Sequence, residues 1–321
     1  MLARVQRLLG LLWVGGTLAW LMMFAMAGRP WTAVIGALAI GGAHAWVLAV
    51  EFMVLPWINR HDPTPRASGS MLVRAWWAEV CAATRVFGWQ QPWRSHCEPD
   101  DLPESANGRR GVVFVHGFMC NRGFGNPWLS RLRAGGVPFV AVSMEPVLGS
   151  IEGYADTIET AVLQVTQATG MAPVIVAHSM GGLAVRAWLC GVHADDRVHS
   201  VITIGTPHRG TWLAAMGLAH NAREMRYGCD WVETLGHREA QARRVLFTCF
   251  YSHCDNIACP ATTGTLLGAD NRHVEGMAHV QLAFQDVVFE ALWTRVAHGA
   301  PSGEPSGRPR APARAWREDA G

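Results

Sequence analysis

One serine in this chain lies where residue types and spacing suit a nucleophile. The segment VIVAHSMGGLAVRAWL, residues 174–189, has β-branched residues before Ser179 and helix-forming residues after it. Its core AHSMG fits the pattern G-x-S-x-G, with alanine in the first glycine position. A strand–turn–helix with this pattern strains the serine backbone, and the small side chains of Ala177 and Gly181 let strand and helix approach closely. The segment predicts that Ser179 is a nucleophile; a helix-capping serine is the alternative.

A second turn, upstream of the serine, has the composition of an anion-binding loop. The segment VVFVHGFMCNRG ends an apolar run with His116, Gly117 and Phe118. Such a turn aims a backbone N–H at a reacting carbonyl oxygen, as does the residue after the nucleophile, Met180. We predict an oxyanion hole made by the N–H groups of Phe118 and Met180. A simple strand-ending glycine turn is the alternative.

The elements that position these turns alternate regularly from residue 111 onward. Continuous apolar runs of strand length alternate with longer helical stretches, which is typical of a parallel sheet covered on both faces. We therefore predict an α/β fold, a mostly parallel sheet with helices on both faces. The apolar runs are GVVFVHGF, VPFVAVSM, VIVAHS, HSVITIGTP and VLFTCFYS.

Residues 111–293 resemble the α/β-hydrolase superfamily, and within it the bacterial lipase and esterase branch, which is related to the GPI inositol deacylases. The resemblance is carried by HGF, AHSMGG and VITIGTPHRGTWLA in that order, and TIGTPHRG is more specific than the general serine motif. It covers a little over half of the chain and leaves out the N-terminal apolar segment and the tail. It implies the α/β-hydrolase fold and a serine hydrolase that acts on ester bonds, like a carboxylesterase or triacylglycerol lipase.

The resemblance also implies an acid and a histidine, which follow the serine in that order in this fold. Asp255, in FYSHCDNIACP, follows a predicted strand and matches the family pattern YS…D…P. Asp230 and Asp270 are weaker rivals because neither follows a predicted strand. A solvated loop aspartate is the alternative reading of Asp255.

His279 matches the ending G-x-x-H-x-x-L of the same family, in HVEGMAHVQLAF. It lies downstream of the acid, in a strand–loop–helix setting. The other histidines near motif turns, which lack that setting, are His116, His178, His208 and His253.

These residues together imply acyl-enzyme chemistry. Neutral His279 removes the proton of Ser179 during attack on an ester carbonyl, and Asp255 fixes the imidazole tautomer and stabilises the imidazolium. Water then repeats the sequence on the acyl-enzyme. No step needs a metal ion or an organic cofactor, so we expect neither.

The first 58 residues are much more apolar than the rest of the chain. The runs LLGLLWVGGTLAWLMMFAMAG and WTAVIGALAIGGAHAWVLAVEFMVLPWI are each about long enough to cross a bilayer as a helix. We predict a membrane hairpin of two transmembrane helices over residues 1–58. Trp31 and Trp57 bracket the second run, and His44 and Glu51 are its polar misfits. The alternatives are buried core helices or, for the first run, a cleaved signal peptide.

The resemblance to the bacterial branch, together with the two apolar runs, implies a bacterial inner-membrane protein. Arginines flank the outer ends of the two runs more densely than their connection, which predicts that the catalytic domain lies in the cytoplasm. Arg4 and Arg7 precede the first run, Arg29 lies in the connection, and Arg60, Arg66 and Arg74 follow the second run.

The rest of the chain divides into three parts, the second of which contains an insertion. Residues 59–110 are a linker, in which MLVRAWWAEVCAATRVFGWQQPW is either an interfacial helix or a helix packed on the domain. Residues 111–297 are the catalytic domain. Residues 211–244 interrupt its rhythm and are predicted to form a lid-like insertion. Residues 298–321, rich in Pro, Gly, Ala and Arg, are predicted to be a disordered tail.

Composition excludes other classes of function. Only 16% of residues are charged, the formal net charge is +2 and every basic residue other than histidine is arginine. There is no basic stripe with interleaved aromatics, so nucleic acid is not an expected partner. The eight cysteines show no C-x-x-C spacing, which argues against structural zinc, and a Cys254–Cys259 bridge is conceivable.

The sequence as a whole favours a membrane-anchored serine ester hydrolase whose substrates are lipid-like or other apolar acyl esters. A thioesterase or an acyltransferase could use the same triad. A catalytically silent membrane scaffold is the alternative from a different class.

Overall fold

A six-stranded parallel sheet forms the centre of the molecule in the computed structural model, which describes residues 1–297. The strand order is β2-β1-β3-β4-β5-β6, and every neighbouring pair is parallel. The strands are β1 (Val112–Val115), β2 (Phe139–Ala141), β3 (Val174–His178), β4 (Ser200–Ile204), β5 (Phe247–Tyr251) and β6 (Asp270–His273).

Helices precede the sheet, lie between its strands and follow its last strand. They are α1 (Leu2–Met26), α2 (Pro30–Gly41), α3 (Ala43–Ile58), α4 (Gly69–Ala83), α5 (Gln91–Trp93), α6 (Asn126–Ala134), α7 (Ala155–Thr169), α8 (Met180–Val192), α9 (His220–Glu224), α10 (Asp230–Arg238), α11 (His279–Leu282) and α12 (Asp286–Ala297).

Both faces of the sheet are buried, which explains why its strands are continuous apolar runs. Successive side chains of a strand point to opposite faces. Val113 and Val115 accordingly lie in the core beneath α7 and α8. Val112 and Phe114 lie in the opposite core, beneath α6 and α12. The predicted α/β fold, with helices on both faces of a parallel sheet, is confirmed.

The last strand, β6, was not expected from the sequence. Its residues DNRH are all exposed, and it pairs with β5 at the edge of the sheet. A polar edge strand lacks the apolar run by which the other strands are recognised. Asp270, the rival acid, is the first residue of this strand.

The N-terminal apolar segment folds as one long helix followed by a broken one. Helix α1, with 25 residues, is long and apolar enough to cross a membrane. The second run is bent by 62° at Gly42, between α2 and α3. Neither half of this run is long enough to cross a membrane alone, whereas the two halves together are. The second predicted transmembrane helix is therefore a broken one.

Helices α3 and α4 pack on the part of the chain that follows β5. Phe52 and Leu55 of α3 and Ala75 of α4 are buried against Cys254 and Ala278. The linker helix was predicted either to lie along the membrane surface or to pack on the domain. In the structure it packs on the domain. A π-helical stretch, Thr84–Gln90, continues α4 toward α5.

The predicted insertion, residues 211–244, contains only short helices. They are the 3₁₀-helix Trp212–Met216, α9, α10 and the start of a second 3₁₀-helix, Gln241–Leu246. Cys254 and Cys259, the conceivable disulfide pair, are both free thiols. The predicted tail, residues 298–321, lies outside the described residues.

Candidate active site

Ser179 lies on a sharp turn between β3 and α8. Its backbone dihedrals are φ 55° and ψ −128°, a combination that costs roughly 1–3 kcal/mol for a residue with a Cβ. The turn is held from both sides, because Ser179 N donates to Ile204 O at 2.9 Å and Thr206 Oγ1 donates to Ser179 O at 2.9 Å. The strand–turn–helix predicted from AHSMG is therefore present, and neighbouring β4 and its loop keep the serine in its strained conformation.

The motif glycine after the serine is required by close backbone packing. A Cβ on Gly181 would lie 2.5 Å from His116 O and 2.7 Å from Val115 O. Helix α8 therefore approaches the end of β1 more closely than any side chain permits. This contact brings the turn after β1 beside Ser179.

Asp255 and His279 form a buried pair at the carboxyl edge of the sheet. His279 Nδ1 lies 2.9 Å from Asp255 Oδ1 and 3.0 Å from Oδ2. The N–H groups of Ile257 and Ala258 also donate to Oδ1, at 2.9 and 2.7 Å. The carboxylate is thus fixed by its own loop and presents itself to the imidazole.

A glycine of the motif TIGTPHRG makes room for this pair. Gly205 follows β4 with φ +57°, and a Cβ there would lie 2.9 Å from Asp255 Oδ2 and 3.0 Å from His279 Nδ1. Any larger residue would strain the backbone and displace the carboxylate or the ring. The loop of the motif TIGTPHRG, on which part of the sequence resemblance rests, therefore lies directly against the acid–histidine pair.

His178 connects the pair to the serine turn. Its ring lies between the ring of Phe124, at a centroid distance of 4.3 Å, and that of His279, at 4.7 Å. Its Nε2 lies 3.4 Å from His279 O. The described hydrogen bonds include none between Ser179 Oγ and His279, and catalytic hydrogen bonds are often long before substrate binds.

The two neighbouring imidazoles have opposite pKa shifts. Burial lowers the pKa of His178 well below its ordinary value, and the nearby charge of His279 lowers it further. Burial also lowers the pKa of His279, but the charge and hydrogen bond of Asp255, together with the charges of Glu79 and Glu51, outweigh this effect and the pKa is raised overall. His178 is therefore neutral at physiological pH and contributes to packing, whereas the surroundings of His279 favour its protonated form.

The predicted oxyanion-hole donors, the N–H groups of Phe118 and Met180, lie in the turn after β1 and at the start of α8. Among the hydrogen bonds of residues 1–297, none uses the N–H of Phe118 or of Met180. Met180 is the first residue of α8, where N–H groups have no partner within the helix. The turn carrying Phe118 is held by His116, whose Nε2 accepts from Met144 N at 3.1 Å. Burial lowers the pKa of His116 to about 4, so it accepts this bond in its neutral form.

The remaining rivals lie in structural contacts. His208 is buried beside Thr203 Oγ1, and His253 Nε2 accepts from Gly276 N. Asp270 contacts Arg272 on the edge strand, and Asp230 begins α10 in the insertion. None of these four residues touches Asp255 or His279 through a described hydrogen bond.

Sequence reasoning missed two side chains that contact the backbone around His279. Asn256 Oδ1 accepts from His279 N at 3.3 Å, and Glu79 of α4 accepts from Val280 N and Gln281 N. A signal for Glu79 exists in the sequence, because it is the only acidic residue between positions 63 and 97. No group of three or more potential metal ligands occurs within residues 1–297.

Comparison with solved structures identifies the fold. No protein-family model and no curated protein matches the chain. Mature Bacillus licheniformis lipase BlEst2 superposes with a TM-score of 0.53 at 16% identity, covering 62% of this chain and 95% of that one. Aspergillus fumigatus lipase B has a TM-score of 0.53 at 17% identity, covering 60% of this chain and 54% of that one. Together with the parallel sheet and the serine turn between β3 and α8, these similarities assign the chain to the α/β-hydrolase fold.

Proposed function

We propose that this protein is a membrane-anchored serine hydrolase that cleaves carboxylic esters of lipid-like or other apolar acyl substrates. The observation that carries the proposal is the buried Asp255–His279 pair beside the strained turn of Ser179. Strain at a serine flanked by an acid–histidine pair is typical of a nucleophile rather than a helix cap, since Ser179 makes no side-chain cap bond in α8.

In the proposed reaction Ser179 Oγ attacks the ester carbonyl carbon while His279 Nε2 takes the hydroxyl proton. The carbonyl oxygen becomes an oxyanion that accepts hydrogen bonds from Phe118 N–H and Met180 N–H. The carbon–oxygen bond to the alcohol then breaks, and His279 returns its proton to the leaving alkoxide. Water repeats these steps on the acyl-enzyme and releases the carboxylic acid and free Ser179.

Asp255 supports both protonation states of the histidine. Its carboxylate faces Nδ1, so the proton of neutral His279 stays on Nδ1 and Nε2 is free to act as a base. The same negative charge favours the imidazolium that forms in the transition state. This role agrees with the raised pKa of His279.

Exposed apolar side chains on the insertion, residues 211–244, favour an apolar substrate. Met216 and Leu218 are 71% and 80% exposed, and Trp212 is partly exposed. Trp212 N donates to Cys259 O, so this surface is attached to the loop that carries Asp255. The two solved structures compared above are named lipases, which agrees with this substrate class.

The proposed membrane anchor consists of α1 and the broken pair α2–α3. Apolar side chains of these helices are exposed to the surroundings, among them Leu12, Ile35, Leu38, Val47 and Met53. In a bilayer these apolar side chains would contact lipid tails instead of water. We place the protein in the bacterial inner membrane with its catalytic domain on the cytoplasmic side.

Active-site labelling tests the proposed nucleophile. A fluorophosphonate probe should label the wild-type protein and should fail to label Ser179→Ala. Ser130→Ala, which removes an exposed hydroxyl on α6, is the matched control and should label normally. Labelling that persists in Ser179→Ala would reject Ser179, and a wild type that neither labels nor turns over any substrate would support a silent scaffold.

A substrate panel separates the enzymatic alternatives. p-Nitrophenyl esters of increasing chain length should be hydrolysed with a preference for longer acyl chains. A thioesterase would instead prefer acyl thioesters of equal length. An acyltransferase would give more transfer product than free acid when an alcohol acceptor is added.

A further inference from the structure

The Glu79 carboxylate of α4 is buried and caps the short helix that begins with His279. Glu79 is 2% exposed. Its Oε1 accepts from Val280 N at 2.9 Å, and its Oε2 accepts from Val280 N and Gln281 N at 3.0 Å each. These N–H groups belong to the first turn of α11, where backbone donors otherwise lack partners. The carboxylate therefore pairs the backbone donors at the start of the short helix that begins with His279.

Burying this carboxylate has a large cost that packing alone does not repay. Burial raises the pKa of Glu79 to about 7, although the bonds from Val280 and Gln281 and the charge of His279 lower it. An apolar side chain of the same size would avoid that penalty but would leave the N–H groups of Val280 and Gln281 without their acceptor. The carboxylate is therefore explained by these bonds, and with this pKa it carries its negative charge mainly above neutral pH.

The charged groups around the imidazole are arranged on several elements. Asp255 pairs with Nδ1 of His279, and the negative charges of Glu79 on α4 and Glu51 on α3 are near enough to favour the protonated ring. His178 lies on the other side and is neutral because of its burial. Glu51 is in turn held by Asn256, whose Nδ2 donates to its Oε2 at 2.7 Å. Glu79 differs from Glu51 in bonding the helix that carries His279.

We propose that Glu79 is a positioning residue for His279, holding α11 in register against Asp255 and supplying negative charge that stabilises the imidazolium formed during turnover. The inference rests on the proposed function. It assigns a part in the reaction to a helix outside the sheet domain. Residues 59–110 are then part of the active-site framework rather than a connecting linker.

Glu79→Gln tests the role of the charge, because glutamine keeps the size and one acceptor oxygen. We expect kcat for a soluble p-nitrophenyl ester to fall by about tenfold or more, with KM little changed, since the lost interaction acts mainly in the transition state. The acidic limb of the kcat/KM profile should move to lower pH. Removing a negative charge destabilises the imidazolium, so His279 stays neutral to a lower pH.

Glu290→Gln is the matched control, because Glu290 is an exposed carboxylate on α12. It should keep the wild-type kcat and pH profile. The thermal transition of each variant in detergent shows whether it folds. If Glu79→Gln loses that transition, Glu79→Asp takes its place. The aspartate keeps the charge but has a shorter reach, so it should keep the acidic limb and lower kcat.

The outcomes separate this inference from the proposed function. If the wild type and Glu290→Gln fail to label at Ser179, the proposed function is wrong and the inference falls with it. If both label and Glu79→Gln, folded, matches their kcat and acidic limb, the inference alone is overturned. A wild-type kcat in Glu79→Asp overturns it as well.

Discussion

At the scale of single residues, the proposed nucleophile Ser179 has a strained backbone. Its φ of 55° lies in a region that favours glycine, and its turn is held by Ile204 and Thr206 rather than by its own side chain. The hydroxyl is therefore kept at this position despite the backbone strain. Removing the Cβ should relieve the strain, whereas removing only the hydroxyl should not.

We predict that Ser179→Gly raises the free energy of unfolding by about 1 kcal/mol while abolishing activity. Ser179→Ala should show no comparable gain, because alanine keeps the Cβ. Ser130→Gly, inside α6, should lower stability through the poor helix propensity of glycine. Thermal midpoints in detergent measure all three. An alanine variant that is more stable than the glycine variant would contradict this account of the turn.

Asp255 should be the acid of the triad. Asp255→Asn keeps the shape but reverses the preferred imidazole tautomer, so kcat should fall by about four orders of magnitude. Asp270→Asn is the control, because Asp270 pairs with Arg272 on the edge strand and should leave turnover near the wild-type level. The reverse result, with Asp270→Asn inactive and Asp255→Asn active, would mean that the acid has been assigned wrongly.

At the scale of elements, the residues of the candidate site lie together at the carboxyl edge of the sheet. Ser179 follows β3, Gly205 follows β4 and Asp255 follows β5, while His279 begins α11 after β6. Parallel strands bring their carboxyl ends to one edge, so residues distant in sequence meet there. The insertion at residues 211–244 leaves from the same edge, directly after the loop of β4.

This position leads to a prediction about chain-length preference. The double substitution Met216→Ser and Leu218→Ser should lower kcat/KM for a long-chain ester relative to the acetate ester by about tenfold, because the acyl chain loses apolar contact. Val245→Ser is the control, since Val245 is 76% exposed on the 3₁₀-helix that precedes β5, at the opposite edge. A panel of p-nitrophenyl esters gives the ratio. An unchanged ratio would remove the insertion from substrate selection.

At the scale of the whole molecule, both ends of the apolar segment contact the part of the chain that follows it. Near the start of α1, Gln6 and Arg7 bond to Gln91 and Pro92 of α5. Just after α3, Asn59 accepts from Ala261 N and donates to His253 O. A hairpin that crosses a bilayer and returns has its two ends on one side, and these contacts agree with that arrangement.

We therefore predict that the catalytic domain faces the cytoplasm, where the arginine-rich outer flanks are retained. A fluorescent protein fused after residue 297 should fluoresce, and alkaline phosphatase fused there should be inactive. Phosphatase fused after Gly28, in the hairpin connection, is the control and should be active. Active phosphatase after residue 297 would show that the domain is exported and that α2–α3 does not complete a crossing.

Local patterns in the sequence determined the fold class and the elements that carry the site. Five of the six strands are continuous apolar runs, because both faces of this sheet are buried and alternation disappears. The serine turn is recognisable because its neighbours must be small, as the space around Gly181 shows. These features depend on a few adjacent residues, so the sequence alone predicts them.

Only the tertiary structure decided which distant groups meet. The bond between Glu79 and Val280 spans 201 positions, and that between Glu51 and Asn256 spans 205. Neither pair has a spacing that a periodic pattern could reveal. Strand β6 was not predicted from the sequence because an exposed edge strand need not be apolar. The packing of α3 against the loop of Asp255 likewise joins segments that are far apart in the sequence. Hydrophobic periodicity fixes which face of an element is buried, whereas the choice of partner depends on the packing of the whole chain.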